Sequence, residues 1–180
     1  MIIDDKDNKI EGQNELVAMK VTGLTIDPFT SMPIIILKDF EDKCALPIWI
    51  GLIEASSIAT ELENIQLARP MTHDLLKSIF DELGVKVQKI SVVDLEDNTF
   101  YAEIALANGN KHWVIDARPS DAIAIALRMH APIFVTKKVI EKSRKIDLSQ
   151  ESTSDDQVKK QKWTEILENL SPEDFGKYKM

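Results

Sequence analysis

Two Ala-Arg-Pro turns place an arginine and an acid at the start of an apolar run with helical spacing. The first reads Ala68-Arg69-Pro70-Met71-Thr72-His73-Asp74 and continues into Leu75-Leu76-Lys77-Ser78-Ile79-Phe80. The second reads Asp116-Ala117-Arg118-Pro119-Ser120-Asp121 and continues into Ala122-Ile123-Ala124-Ile125-Ala126-Leu127. Proline suits the entry to a helix, and the hydroxyls of Thr72 and Ser120 can cap free backbone N–H groups there. The chemistry such a turn supports is anion binding, with a guanidinium and a carboxylate beside N–H groups that point outward. One turn of this kind is routine. Two of them imply either a duplicated unit or one composite polar site.

Other chemistries find less support. Cys44 is the only cysteine, and its neighbours Glu41 and Asp42 do not favour a thiolate. Ser56 and Ser57 fall within a helical segment rather than on a strand-to-helix elbow. No glycine-rich phosphate loop is present. No His-x-x-x-His pair occurs, and His112 and His130 stand alone, so no metal-ligand spacing unites the candidates.

The elements that must position the two turns follow from periodicity and turn residues. Residues 1–14 read as a polar arm. A strand is expected from Glu15 to Ile26 with a bulge at Gly23, then strands over Met32–Leu37 and Ala45–Ile50, joined by short turns. Leu52 to Asn64 has helical spacing, and the first Ala-Arg-Pro turn opens a second helix that stops near Gly84. Val85–Leu95, Thr99–Leu106 and Lys111–Ala117 form a three-strand meander, with turns at Glu96-Asp97-Asn98 and Asn108-Gly109-Asn110. The second Ala-Arg-Pro turn opens a helix over Ser120–Met129. A last strand, Pro132–Val135, precedes a short charged helix through about Ser143.

The fold class expected is α+β, a mixed and mainly antiparallel sheet with helices packed on it. Leu46-Pro47-Ile48-Trp49-Ile50 and Ala131-Pro132-Ile133-Phe134-Val135 each precede a helix, an echo that leaves an internal strand–helix duplication open. The domain is expected over residues 15–146, followed by a linker at 147–160. A C-terminal amphipathic helix and tail at 161–180 carries Trp163, Ile166, Leu167 and Leu170 on one stripe. That stripe must dock on its own core, a second copy or a partner.

Bulk properties bound the function. The 180 residues are 44% hydrophobic, enough for one domain with a real core. The formal net charge is −8, but residues 1–15 carry five acids against two bases and residues 147–180 eight against five, leaving the core near neutral. That argues against a strongly basic nucleic-acid binder. No apolar run reaches a membrane span's length, and the N-terminus has no signal-peptide core, so a cytoplasmic protein without membrane association is expected.

The run Leu46-Pro47-Ile48-Trp49-Ile50-Gly51, the Glu54-Ala55 helix start, Arg69-Pro70-Met71-Thr72-His73-Asp74-Leu75, Thr99-Phe100-Tyr101-Ala102 and Asp116-Ala117-Arg118-Pro119-Ser120-Asp121 occur in an order that resembles the bifunctional nuclease domain family. The resemblance covers about residues 16–143. It implies an α+β fold, self-association with a dimer favoured, and the DNase and RNase activity ascribed to plant members.

Metal-assisted phosphodiester hydrolysis needs acids for a divalent ion, a proton carrier and cations for phosphate. On that basis Asp74 and Asp121 would hold Mg²⁺ or Mn²⁺, Arg69 and Arg118 would hold the phosphate of a nucleic acid, and His73, Glu54 or Asp116 would move protons. The structural alternative pairs Arg69 with Asp121 and Arg118 with Asp74 as braces between equivalent turns. Trp49 and Trp113 alternate with apolar strand residues, which favours core packing over base stacking. The functional alternative is a non-catalytic module for a small anion or a protein partner.

Overall fold

A computed structural model describes residues 15–150. In chain order its elements are β1 (Leu16–Ile26), β2 (Pro33–Asp39), β3 (Ala45–Trp49), α1 (Leu52–Leu62), α2 (Thr72–Glu82), β4 (Lys86–Glu96), β5 (Thr99–Asn108), β6 (Lys111–Ala117), α3 (Pro119–Met129), β7 (Ile133–Thr136) and α4 (Lys137–Gln150). The strands form one seven-stranded sheet in the order β3-β2-β1-β7-β4-β5-β6. Every neighbouring pair is antiparallel except β4 and β7, which are parallel. This is the α+β, mainly antiparallel arrangement implied by the sequence. The arm at 1–14 and the chain beyond 150, with the expected C-terminal helix, lie outside the described residues.

Local sequence accounts for the hairpins. Asp97 and Asn98 join β4 to β5 with φ of 46° and 60°, the left-handed pair of a type I′ turn that matches strand twist. Gly109, at φ 57°, supplies the same freedom between β5 and β6. The register of β1 against β2 shifts between Val21 and Gly23, which places a bulge at the expected glycine.

The core gathers Ile35, Leu37, Leu46 and Ile48 from the first strands, Ile58 from α1, Ile123 from α3, and Ile90, Val92 and Val135 from the sheet centre, all essentially without exposure. Each such aliphatic side chain contributes roughly 1.5–3 kcal/mol by leaving water. In α3 the sequence Ala-Ile-Ala-Ile-Ala is buried throughout, and its alanines let α1 and α2 pack closely beside it. α1 lies over β1 and β2, and α3 over β4 and β5. α2 buries no residue fully; Leu76 and Phe80 touch the core, while Leu75, Ile79 and Leu83 face outward.

Several expectations change. Trp49 and Trp113 are 43% and 42% exposed rather than core residues. Trp49 sits on the face of β3 opposite the buried Leu46 and Ile48, whereas Trp113 shares the face of the buried Leu106 but lies on the edge strand β6, beyond the cover of the described helices. Neither Thr72 nor Ser120 caps a helix: the N-caps are Met71 and Arg118, without side-chain cap bonds. Pro119 is the first residue of α3, whereas Pro70 precedes the N-cap of α2, so the two turns enter their helices differently. The two echoed strands also differ in place, β3 at an edge and β7 at the centre. α4 continues to Gln150, past the expected stop near Ser143, because no glycine or proline interrupts it. No described helix is long and apolar enough to cross a membrane.

Candidate active site

Three helices begin with an acid at the third helical position: Glu54 in α1, Asp74 in α2 and Asp121 in α3. An acid there is favoured by the helix dipole alone. Here each also meets an arginine. Arg118, at the N-cap of α3, donates from Nη1 to Glu54 Oε1 at 2.7 Å, from Nε to Asp121 Oδ2 at 2.8 Å and from Nη2 to Asp121 Oδ1 at 3.2 Å. The guanidinium is therefore clamped between the N-termini of α1 and α3. Its side chain nonetheless stays 65% exposed.

Behind it the network continues inward. Asp121 Oδ1 lies 3.2 Å from His73 Nε2, and His73 Nδ1 lies 2.8 Å from Ser57 Oγ. Both ring nitrogens are engaged, and the ring is 14% exposed. Burial acts most strongly on the Asp121 carboxyl and works to raise its pKa. The hydrogen bonds from Arg118 and His73 outweigh that, and Asp121 ends below the usual carboxylate value. Arg118 moves the opposite way, raised chiefly by its bonds to Asp121 and Glu54.

Asp74 belongs to a second pair. Its Oδ1 accepts from Arg128 Nε at 2.6 Å and its Oδ2 from the Met71 backbone N–H at 2.9 Å. Arg128 is 2% exposed and also donates to the carbonyls of Ala124 and Ser57. Burial again works to raise the Asp74 carboxyl, and the bonds from Arg128 and Met71 leave it lowered overall. The crosswise pairs Arg69–Asp121 and Arg118–Asp74 are not formed; Arg118 takes Asp121 and Arg128 takes Asp74. Arg128 escaped the sequence reasoning, and Ser57 entered it only as a rejected nucleophile, not as a partner of His73. A charged residue seven positions after Asp121, on the buried face of α3, was the available signal for Arg128. Ser57 has none, since its partner is sixteen residues away on another helix.

The Arg118 network opens onto a cleft of about 260 Å³ lined by Trp49, Gly51, Glu54, Phe100, Arg118 and Ser120, among others. β3 and β5 stand five places apart in the sheet order yet both line this cleft, so the sheet curls. At Gly51 an added Cβ would lie 2.2 Å from Glu54 Oε2, so the glycine makes room for that carboxylate to fold down beside Arg118.

Glu54, His73, Arg118 and Asp121 therefore come together, and Asp74 adjoins them through Arg128. Arg69 is exposed in the loop before α2, and Asp116 is exposed on β6 opposite Glu103; neither lines the cleft. His112 and His130 are also exposed, on β6 and at the C-cap of α3. No group of three histidine, cysteine, aspartate or glutamate side chains converges to hold a metal among the described residues. Asp74 and Asp121 face different protein cations, an arrangement that does not fit a resident divalent ion.

Fold and site together define an α+β domain with an arginine-bearing cleft between two helix N-termini. The model of the bifunctional nuclease domain matches residues 35–147, which include every group in this network. An uncharacterised protein of Mycobacterium tuberculosis is 35% identical over 163 residues, covering 87% of this chain and 96% of that protein. Bifunctional nuclease 1 of Arabidopsis thaliana is 34% identical over 120 residues, 64% of this chain and 37% of its own length. Bifunctional nuclease 1 of Oryza sativa subsp. japonica is 33% identical over 110 residues, 58% of this chain and 33% of its own length. The chain belongs to the bifunctional nuclease domain family.

Proposed function

We propose that this domain hydrolyses phosphodiester bonds of nucleic acid in the cleft between the N-termini of α1 and α3. The observation that carries the proposal is Arg118. Two carboxylates fix its plane, and the three N–H groups they occupy leave one N–H on each terminal nitrogen for phosphate oxygens. Glu54 lines the same cleft and is the group placed to take a proton from an attacking water or return one to the leaving oxygen. Asp121 and His73 act as positioning residues, because both Asp121 oxygens and both His73 ring nitrogens are engaged, whereas Glu54 accepts from Arg118 through Oε1 alone and its Oε2 has no bond among the described residues. Asp74, Arg69 and Asp116 take no part in this scheme. Comparison of Mg²⁺, Mn²⁺ and EDTA in the assay reads whether cleavage depends on a divalent ion at all.

Purified protein is incubated with labelled single-stranded RNA and double-stranded DNA in Mg²⁺, Mn²⁺ or EDTA, beside Arg118→Gln and Glu54→Gln variants shown to be folded. Glu54→Gln is expected to lose about 100-fold in kcat/KM, the lower range for removing one acid–base group, and Arg118→Gln about 100-fold, the lower range for removing one preorganised electrostatic donor. Equal cleavage by all three proteins would place the activity elsewhere. No cleavage under any condition favours the second reading, a non-catalytic anion-binding module. One observation supports that reading: every carboxylate in the network already faces a cation of the protein. We also propose that the domain forms a homodimer through the exposed edge strand β6.

A further inference from the structure

The cleft has an aromatic wall that the hydrolytic scheme leaves unused. Trp49 lies at the end of β3 and lines the cleft together with Phe100, Arg118 and Ser120. The Trp49 indole N–H donates to Asp27 Oδ2 at 3.0 Å. Asp27 is itself held in the β1–β2 turn, accepting from the Phe29 N–H and the Thr30 hydroxyl. A tryptophan 43% exposed on a cleft is thus fixed in place by a braced turn. Ser120 adds a polar group to the lining: it is 6% exposed, and its hydroxyl has no hydrogen-bond partner among the described residues.

We propose that Trp49 is a stacking platform for one unpaired base, so that the substrate class is single-stranded nucleic acid. The phosphate next to that base meets Arg118 and the Ser120 hydroxyl. This rests on the phosphodiester reading of the cleft and adds its selectivity. The chemistry matches the surroundings, because a base offers an apolar face to the ring while its phosphate needs the cationic wall. A base inside a duplex has both faces covered and does not reach such a platform. With one guanidinium lining the cleft among the described residues, stacking carries a larger share of affinity than in a basic groove, and binding depends weakly on salt.

The test measures fluorescence anisotropy of a short labelled single-stranded oligonucleotide, which requires no turnover, and cleavage of the same strand. The full chain is compared with Trp49→Phe, which keeps an aromatic face, and Trp49→Leu, which keeps apolar bulk without one. Matched oligonucleotides carrying a run of abasic sites, and a blunt duplex, complete the set. Binding is expected to weaken about tenfold in Trp49→Leu and little in Trp49→Phe. The abasic strand should lose as much with the native chain and show no further loss with Trp49→Leu. Base-dependent binding without cleavage upholds the platform and sinks the hydrolytic reading. Cleavage indifferent to Trp49, to base removal and to strandedness overturns the platform and leaves hydrolysis standing. No binding of the single strand overturns the platform, as does equal binding of the duplex.

Discussion

Arg128 is the most buried charge of the site, and its surroundings explain why it can stay there. It has a carboxylate on Nε and carbonyls on both terminal nitrogens, so its charge and donors are matched by acceptors from α1, α2 and α3. Removing Asp74 leaves a guanidinium at 2% exposure with Glu61, 3.9 Å away, as its one remaining counter-charge among the described residues. Asp74→Ala is therefore expected to cost about 3 kcal/mol, at the low end for breaking a buried pair because the acid itself is partly exposed. Urea unfolding measures it. A loss under about 0.5 kcal/mol, the scale of an ordinary surface change, would show that the pair is ornamental. Gly51 makes the complementary prediction. Its φ of −72° suits alanine, but the new Cβ would displace the Glu54 carboxylate, which is the end of a flexible side chain. Gly51→Ala should change stability by less than about 1 kcal/mol, yet reduce kcat/KM nearly as far as Glu54→Gln. Unchanged kcat/KM would separate Glu54's position from its function.

At the scale of elements, Asp94 ties α4 to β4. It accepts from Lys138 Nζ at 2.5 Å and from Lys142 Nζ at 2.9 Å, and Lys142 also reaches the Leu95 carbonyl. Those two ammonium groups hold the Asp94 carboxyl well below the usual carboxylate range. A carboxylate with a depressed folded pKa stabilises above its unfolded value, about 3.9, and loses that contribution as pH falls through the folded value. Protection of the α4 amides against hydrogen exchange, corrected for intrinsic rates, should drop between pH 5 and pH 2. In Asp94→Asn it should be low already at pH 7 and change little with acid. A helix whose protection ignores both the substitution and the pH is held by Val139 and Ile140 packing alone. Elements of this kind were largely legible in the sequence. The hairpin turns at Asp97-Asn98 and Gly109 declare themselves by residue type, as does α3 by its apolar run. Neighbourhood was less legible. Alternation puts Trp49 on the face opposite Leu46 and Ile48, and it says nothing of the Trp113 strand being a sheet edge. Likewise Arg118, Asp121, Glu54 and His73 were the right types, whereas the choice between Asp74 and Asp121 as partner of Arg118 depends on how α2 packs beside α3.

At the scale of the whole molecule, β6 is left uncovered among the described residues. Its residues are exposed from Lys111 to Asp116 although Leu106 and Ile104, their cross-strand neighbours, are buried. By register Trp113 and Ile115 share the face of those two residues, so the apolar surface of the sheet runs on past its helical cover. An exposed apolar edge strand invites pairing with another chain, and a two-fold contact satisfies it without leading to fibres. The strand's own sequence fits such a contact. Antiparallel pairing of two β6 strands about Val114 would set Trp113 against Ile115 and His112 against Asp116, and would join two sheets edge to edge. A solution mass of twice 20.3 kDa is expected by sedimentation equilibrium. Val114→Asp puts two like charges on the axis and should give the monomer. His112→Asp should weaken the dimer by opposing two acids, and the exchange His112→Asp with Asp116→His should restore it. That rescue distinguishes this register from any other use of the same surface, because a face-on contact would respond to Trp113 and not to the exchanged pair. A native chain that stays monomeric at tens of micromolar would overturn the dimer altogether.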